Sequence, residues 1–233
     1  MKNNIVGIIC AMEKEVTHYK EIFKKIKETK LMNYTFFEAS YNENKIIFTI
    51  CGIGKVNAGS LTTLLIEHYH PDFIVNTGVA GGFDQSLKTL DIVVADKIFY
   101  HDVDCRFDND ARYGQVQGLP LFYNANVILN DRLSKLDINL KFGAIASGDQ
   151  FITDYDKMKK TIDEYFNDVK VLACDMESCA IAQMCYLNHI EFIVIRAISD
   201  VVGSSQIMDY NTFTPQAASK AAKLILQLLD CEL

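Results

Sequence analysis

The chain has 233 residues and lacks the features that mark several large classes of protein. It has only three prolines, and hydrophobic residues make up 49% of it, which excludes an intrinsically disordered chain. No run of 18 or more apolar residues occurs, so we expect no membrane-spanning helix. The short apolar run near the start lacks a signal-peptide cleavage pattern. We therefore expect a soluble, cytoplasmic protein that forms one domain over residues 1–233.

Positive charge is scarce as well. The chain has 30 acidic and 23 basic residues, a net charge of -7, and no extended basic run. Such a chain is poorly suited to bind nucleic acid or an anionic membrane, so we expect neither as a partner. Arginine is especially rare and occurs at four positions only: Arg106, Arg112, Arg132 and Arg196.

Cysteine and histidine are present but follow no ligand pattern. The seven cysteines are odd in number and scattered, no CxxC pair occurs, and the five histidines are equally dispersed. We expect reduced, mostly buried thiols, no metal site and no cofactor.

Short β-rich runs alternate with longer helical patterns. Strands are predicted at 4–10, 34–40, 45–51, 72–78, 91–100, 142–147, 171–174 and 192–199. Helices are predicted at 13–26, 57–69, 127–136, 155–166, 176–187 and 213–229. The continuous Val/Ile runs are typical of strands covered on both faces. The alternation predicts an α/β fold with three layers.

Polar and glycine-rich residues follow several predicted strands, at the edge where ligands bind in open α/β folds. Glu15, in CAMEKE, either favours a helix start or faces a cleft. The glycines of CGIGKVNAG (51–59) and NTGVAGG (76–82) either line a pocket or form structural turns. Neither segment matches a nucleotide-phosphate motif. Phe151 and Ile152, in SGDQFI, belong either to the core or to a wall for a planar base.

Two acidic segments follow the last predicted strands. In DMES, a helix from residue 176 would place Glu177 beside the apolar face of that helix. Arg196 lies inside a buried strand, so we expect Glu177 and Arg196 to meet, either as a structural ion pair or as part of a site. Asp200 and Ser199 end the same strand, where Asp200 is either a cap or a functional acid. The irregular stretch 101–125 is either functional, an interface or a tolerated insertion.

Seven segments, in order and spacing, resemble the 5′-methylthioadenosine/S-adenosylhomocysteine nucleosidases of the nucleoside phosphorylase superfamily: CAMEKEV, CGIGKVNAG, NTGVAGG, YHDVD, SGDQFI, DMES and RAISD. The resemblance covers nearly the whole chain. It implies a three-layer αβα sandwich around a mixed, partly closed sheet, and a homodimer. It also implies that water cleaves the N-glycosidic bond of adenosine thioethers, and of 5′-deoxyadenosine, in methionine salvage and in removal of a methyltransferase by-product.

The resemblance also implies residue roles. Glu15 would activate the attacking water, and Asp200, steadied by Ser199, would protonate or hydrogen-bond adenine N7. Glu177 would hold the ribose hydroxyls beside Met176. The other implied substrate-binding residues are Arg196, Met12, Ile53, Val79, Phe151, Ile152 and Tyr210. A neighbouring subunit would lend its loop 101–120 to the site, through Cys105, Phe107 and Pro120.

The chain departs from the family pattern at three places. Val79 stands where family members often have a serine, and Asp175 where glutamate is usual. The loop 104–112 is one residue longer and more charged. Three alternative functions stay open: a nucleoside phosphorylase, a hydrolase of the futalosine type, and an inactive binding protein that keeps the pocket.

Overall fold

The computed structural model describes residues 4–107, 111–204 and 206–230. The strands within them are β1 (Ile5–Cys10), β2 (Lys27–Leu31), β3 (Tyr34–Tyr41), β4 (Asn44–Ile50), β5 (Phe73–Gly82), β6 (Ile92–Tyr100), β7 (Tyr123–Asn124), β8 (Leu140–Ser147), β9 (Val171–Asp175) and β10 (Glu191–Val201). The helices are α1 (Glu13–Ile22), α2 (Lys55–Tyr69), α3 (Val127–Ser134), α4 (Tyr155–Tyr165), α5 (Ser178–Leu187) and α6 (Gln206–Asp230).

The central sheet is mixed and partly closed on itself. β5 pairs in parallel with β1 through its first half, and antiparallel with β9 through Gly81 and Gly82. Its other edge pairs with β10, so β5, β10, β6, β8 and β9 form a closed ring. The strands β1, β4, β3 and β2 extend from that ring as an open sheet. This arrangement confirms the predicted fold class.

Helices cover both faces of the sheet. Because successive side chains on a strand point to opposite faces, Ile8 and Ile9 of β1 enter different parts of the core. Ile9 lies in the cluster that contains the buried residues of α2 and α5, and Ile8 in the cluster that contains those of α6. A third cluster packs α4 against β8 and β9. No helix among the described residues is long and apolar enough to cross a membrane.

Most predicted elements are confirmed, with differences at their ends. The helix predicted at 13–26 ends at Ile22, and the polar segment KETKL forms the strand β2, which was not predicted and which pairs with β3 at the edge of the described sheet. β5 continues through the glycines to Gly82, because β10 and β9 provide its hydrogen-bond partners. The helix predicted from 176 begins at Ser178, and the one predicted from 213 begins at Gln206.

Candidate active site

One pocket gathers nearly all of the predicted site residues where β1, β5, β9 and β10 end. It is open to solvent and, with its open mouth included, has a volume of about 620 Å³. The predicted residues that line it are Met12, Glu15, Ile53, Val79, Phe151, Ile152, Met176, Glu177, Ser199, Asp200 and Tyr210. The other lining residues are Ala80 and Gly81, from the segment 76–82, and Ala11, Gln150, Cys174, Asp175 and Val202, which the sequence did not single out as site residues. Arg196 lies behind this lining rather than in it.

Glu15 is held at the base of the pocket by backbone donors. It lies in the first turn of α1 with its side chain folded back, so that Oε2 accepts the N–H groups of Ala11 and Met12 at 2.8 and 2.9 Å. Oε1 accepts the N–H of Val79 at 3.0 Å. Burial raises the pKa of Glu15, while the charge of Arg196 and these three donors oppose the rise. The carboxyl group is therefore desolvated but fixed.

Gly78 gives this carboxyl group its space. Its φ is 150°, and a Cβ built on it would overlap the Glu15 carboxyl group. The glycine therefore permits the close approach of backbone and acid at the middle of β5. Of the two interpretations of NTGVAGG, the structure supports pocket lining rather than a turn, since the segment is strand throughout.

Arg196 has a closer partner than the sequence predicted. Its Nε and Nη2 lie 2.8 and 2.7 Å from Oδ2 of Asp175, and Nη2 donates to Oδ1 of Asn76 at 2.7 Å. Glu177 lies 4.0 Å from Nη2, so the expected pairing exists but is the weaker contact. Asp175 ends β9, the neighbour of β5, and that position brings its short side chain onto the guanidinium. Its other oxygen, Oδ1, accepts the N–H of Ser178 at the start of α5.

Glu177 is placed by the end of a strand and not by a helix. It precedes α5 as its N-cap, with φ -130° and ψ -33°, so the predicted helical position beside an apolar stripe is wrong. Its Oε1 accepts the N–H of Gly54, at the start of α2, at 2.9 Å. Burial, and then the charge of Asp175, raise the pKa of Glu177 to about 7. Its proton therefore exchanges near neutral pH.

A β-bulge turns Asp200 toward the pocket. The register between β10 and β5 shifts between Ile198 and Asp200, which leaves Ser199 as the extra residue. The Ser199 hydroxyl donates to Oδ1 of Asp200 at 2.6 Å, and both residues are buried. Asp200 is therefore a buried acid, fixed by a hydrogen bond near the end of a strand, and not an exposed turn cap.

Apolar groups form the outer walls. Phe151 is half-exposed, and its ring meets that of Tyr210 edge to face, with centroids 5.7 Å apart. The Tyr210 hydroxyl lies 3.3 Å from the sulfur of Met12. Of the two interpretations of Phe151, the pocket wall is supported and core packing is not. The predicted loop residues Cys105, Phe107 and Pro120 do not line the pocket of their own chain.

Comparison with known proteins assigns the family. The model of the phosphorylase superfamily matches residues 5–230. A 5′-methylthioadenosine/S-adenosylhomocysteine nucleosidase of Bacillus subtilis is 37% identical over 230 residues, which are 96% of this chain and 97% of the relative. The chain belongs to this nucleosidase family.

Solved structures agree with that assignment. A nucleosidase of the same name from Colwellia psychrerythraea, solved with adenine, superposes with a TM-score of 0.91 at 35% identity, over 98% of this chain and 96% of that one. A futalosine hydrolase of Helicobacter pylori has a TM-score of 0.90 at 29% identity, over 97% of each chain. The nucleosidase fold is thus shared with a hydrolase of another nucleoside.

Two polar residues that organise this nucleosidase site escaped sequence reasoning. Asn76 reads as an ordinary residue of a buried strand, but its amide bonds Arg196 and the backbone carbonyl of Ile9. Asp175 was noted only as a departure from the family glutamate. The available signal was the burial of Arg196, since a buried guanidinium has several donors and needs more than one acceptor.

Glu177→Gln is expected to change how stability depends on pH. The pKa of Glu177 rises from 4.5 to about 7 on folding, so its stabilising contribution is present below pH 4.5 and is lost as the pH approaches 7. The variant avoids this loss, and its unfolding free energy relative to wild type should therefore increase between pH 4.5 and pH 8. Urea titrations across this range measure the difference.

Glu38→Gln is the matched control for this experiment. Partial burial raises the pKa of Glu38, but hydrogen bonds from Thr29, Lys45 and Lys27 outweigh this effect and lower the pKa to about 2. Its stabilising contribution is therefore complete above pH 4.5, so this variant should show a constant deficit over the same range. Parallel curves for Glu177→Gln and wild type would contradict the raised pKa.

Proposed function

We propose that the protein hydrolyses the N-glycosidic bond of 5′-methylthioadenosine and S-adenosylhomocysteine, and of 5′-deoxyadenosine, releasing adenine. Water is the nucleophile, and cleavage passes through an oxocarbenium-like state at the ribose. The named relatives support this substrate class.

The observation that carries the proposal is the charge of the pocket. Four carboxyl groups line it, from Glu15, Asp175, Glu177 and Asp200, and none of its described lining residues is lysine, arginine or histidine. A phosphate dianion would be repelled where a phosphorylase has to bind it, while neutral water and a cationic transition state are favoured. Arg196 and Asp175 neutralise each other, so the charge of the site comes from the other three carboxyl groups.

Glu15 is proposed as the general base. Three backbone N–H groups fix its carboxyl group at the base of the pocket, and their bonds favour the ionised form that can accept a proton from water. Burial strengthens the action of this charge on the developing ribosyl cation, since little solvent screens it.

Asp200 is proposed as the acid that serves the leaving base. Adenine is a poor leaving group unless N7 receives a proton or a strong hydrogen bond, because it would otherwise have to leave as an anion. Asp200 presents a buried carboxyl group, oriented by the hydroxyl of Ser199, in the same pocket as Glu15. The two acids come from β10 and α1, so they reach the nucleoside from different elements of the fold.

Glu177 is proposed to hold the ribose hydroxyls, with Met176 against the sugar. Gly54 fixes one oxygen of Glu177 from behind, which leaves the carboxyl group directed to the pocket. Phe151 would stack on adenine, the backbone of Ile152 would read its edge, and Tyr210 would close the wall. Ile53 and Met12 supply apolar surface for the 5′-thio group.

The proposed activity is tested by an assay in phosphate-free buffer. Purified protein is expected to release adenine from each of the three adenosine substrates, at rates that added phosphate does not raise. Chromatography separates adenine from the sugar product. Strict dependence on phosphate with release of a ribose 1-phosphate would identify a phosphorylase, and base release from futalosine alone would identify a futalosine hydrolase.

Glu15→Gln and Asp200→Asn are each expected to lower kcat by about 10²–10⁴-fold, because each removes one proton-transfer group from the transition state. Adenine binding by Glu15→Gln, measured by calorimetry, should stay close to wild type. Glu13→Gln is the matched control, since Glu13 lies in the same turn but pairs with Lys20 at the surface. A fully active Glu15→Gln variant would exclude Glu15 as the general base.

We also propose that the chain forms a homodimer in which loop 101–120 of one subunit completes the mouth of the other's pocket. The exposed apolar side chains Ile53, Val56 and Phe107 support this, being 53%, 79% and 77% exposed.

A single domain over 1–233 and a cytoplasmic location stay predictions. The continuous sheet supports the first, and the free cysteines among the described residues support the second.

Mixed dimers test the shared site. Phe107→Ala should weaken substrate binding at the neighbouring pocket, while Glu15→Gln inactivates its own. Mixed dimers of the two variants would then hold one intact site, and an equimolar mixture should recover about a quarter of the wild-type sites. Light scattering gives the mass. A monomeric active enzyme, or no recovery on mixing, would contradict the proposal.

A further inference from the structure

Two segments that contribute walls to the pocket are joined outside its lining. One is the turn 51–54, which carries Ile53 and the Gly54 N–H that bonds Glu177. The other is the loop 148–152, which carries Phe151 and Ile152. The separation of these walls decides whether a nucleoside can contact both at once, so whatever joins them influences binding.

Asp102 joins the two segments from a third position, just after β6. Its Oδ2 accepts hydrogen bonds from Nζ of Lys55 and from the N–H of Asp149, each at 2.8 Å. The side chain of Asp102 is 9% exposed and that of Lys55 is 24% exposed, so the pair is shielded from solvent. One carboxylate oxygen therefore bonds both Lys55, the residue that follows the turn, and Asp149 of the loop.

Asp149 completes the link in the opposite direction. The start of α2 has no side-chain cap of its own, since Gly54 is the N-cap, and Oδ1 of Asp149 accepts the N–H of Lys55 at 2.8 Å. A lysine in the first helical turn is disfavoured by the helix dipole. Here its side chain turns back to Asp102 and lies over the ring of Tyr100, with Nζ 5.2 Å from the centroid.

The loop also packs closely against His101 and Asp102. A Cβ on Gly148 would come within 2.6 Å of Nε2 of His101 and 2.7 Å of Cγ of Asp102. The Gly148 N–H donates to the carbonyl of Asp175 at 3.1 Å. A shift of the loop is therefore passed on to the backbone that carries Asp175 and Glu177.

We propose that the Asp102–Lys55 ion pair positions the base-binding loop against the sugar-binding turn, so that Asp102 is a positioning residue for nucleoside binding. Neither residue lines the pocket. The inference rests on the proposed function, since it assigns the loop to adenine and the turn to ribose.

The test compares four proteins: wild type, Asp102→Asn, Lys55→Met and the double variant. Methionine keeps the apolar stem over Tyr100 and removes only the charge. Each single variant should raise the Kd for adenine, measured by calorimetry, and the KM for 5′-methylthioadenosine about tenfold, with kcat little changed. The double variant should be no worse than either single one, because the two groups act as a unit.

Glu38→Gln is the control for a general loss of stability. Glu38 is another shielded carboxylate with several donors, but it lies in the β2–β3–β4 sheet away from the pocket. This variant should lower the melting temperature and leave Kd and KM unchanged. Lys55→Arg, which keeps the charge, should restore most of the affinity that Lys55→Met loses.

Unchanged Kd and KM in both single variants would overturn the proposal, as would additive effects in the double variant. If Asp102→Asn does not fold, the Lys55→Met and Lys55→Arg pair decides the question. Failure of the proposed function is recognised separately. In that case the wild type would not release adenine, while the adenine affinities of the variants would still report on the ion pair.

Discussion

The pocket is organised around a buried positive charge that has to be neutralised. Arg196 is 1% exposed, and a guanidinium so far from water is tolerated only when its donors are bonded and its charge is paired. Asp175 and Asn76 meet that requirement from the neighbouring strands β9 and β5. Asp175 also accepts the N–H of Ser178, so the same carboxylate decides where α5 begins. Glu177 is left outside the helix, directed to the pocket, as a consequence.

Closure of the sheet determines where the pocket lies. β5 exchanges its partner β1 for β9 at Gly81 and Gly82, and this exchange closes the ring. The bulge at Ser199 occurs at the same level of β10 and turns Asp200 inward. The bulge that interrupts the regular pairing of β10 with β5 therefore also places the acid proposed to serve the leaving base.

The site concentrates acids at a cost to stability. Burial raises the pKa values of Glu15 and Glu177, which means that the folded protein opposes their ionisation. Backbone donors and Arg196 offset part of that cost without adding positive charge to the lining. Such desolvated, fixed carboxylates are suited to stabilise a cationic transition state, which explains why a fold would retain them.

Sequence alone determined the alternation of strands and helices, because buried strands and amphipathic helices differ in apolar period. Its resemblance to a known family also implied eleven of the residues that line the pocket. It could not determine that Asp175, rather than Glu177, is the main partner of Arg196, since pairing across strands depends on register. The link from Asp102 to Lys55 joins residues 47 positions apart, and only the folded chain brings them together. The order of apolar and polar residues determines the local elements, whereas closure of the sheet determines which distant segments come into contact.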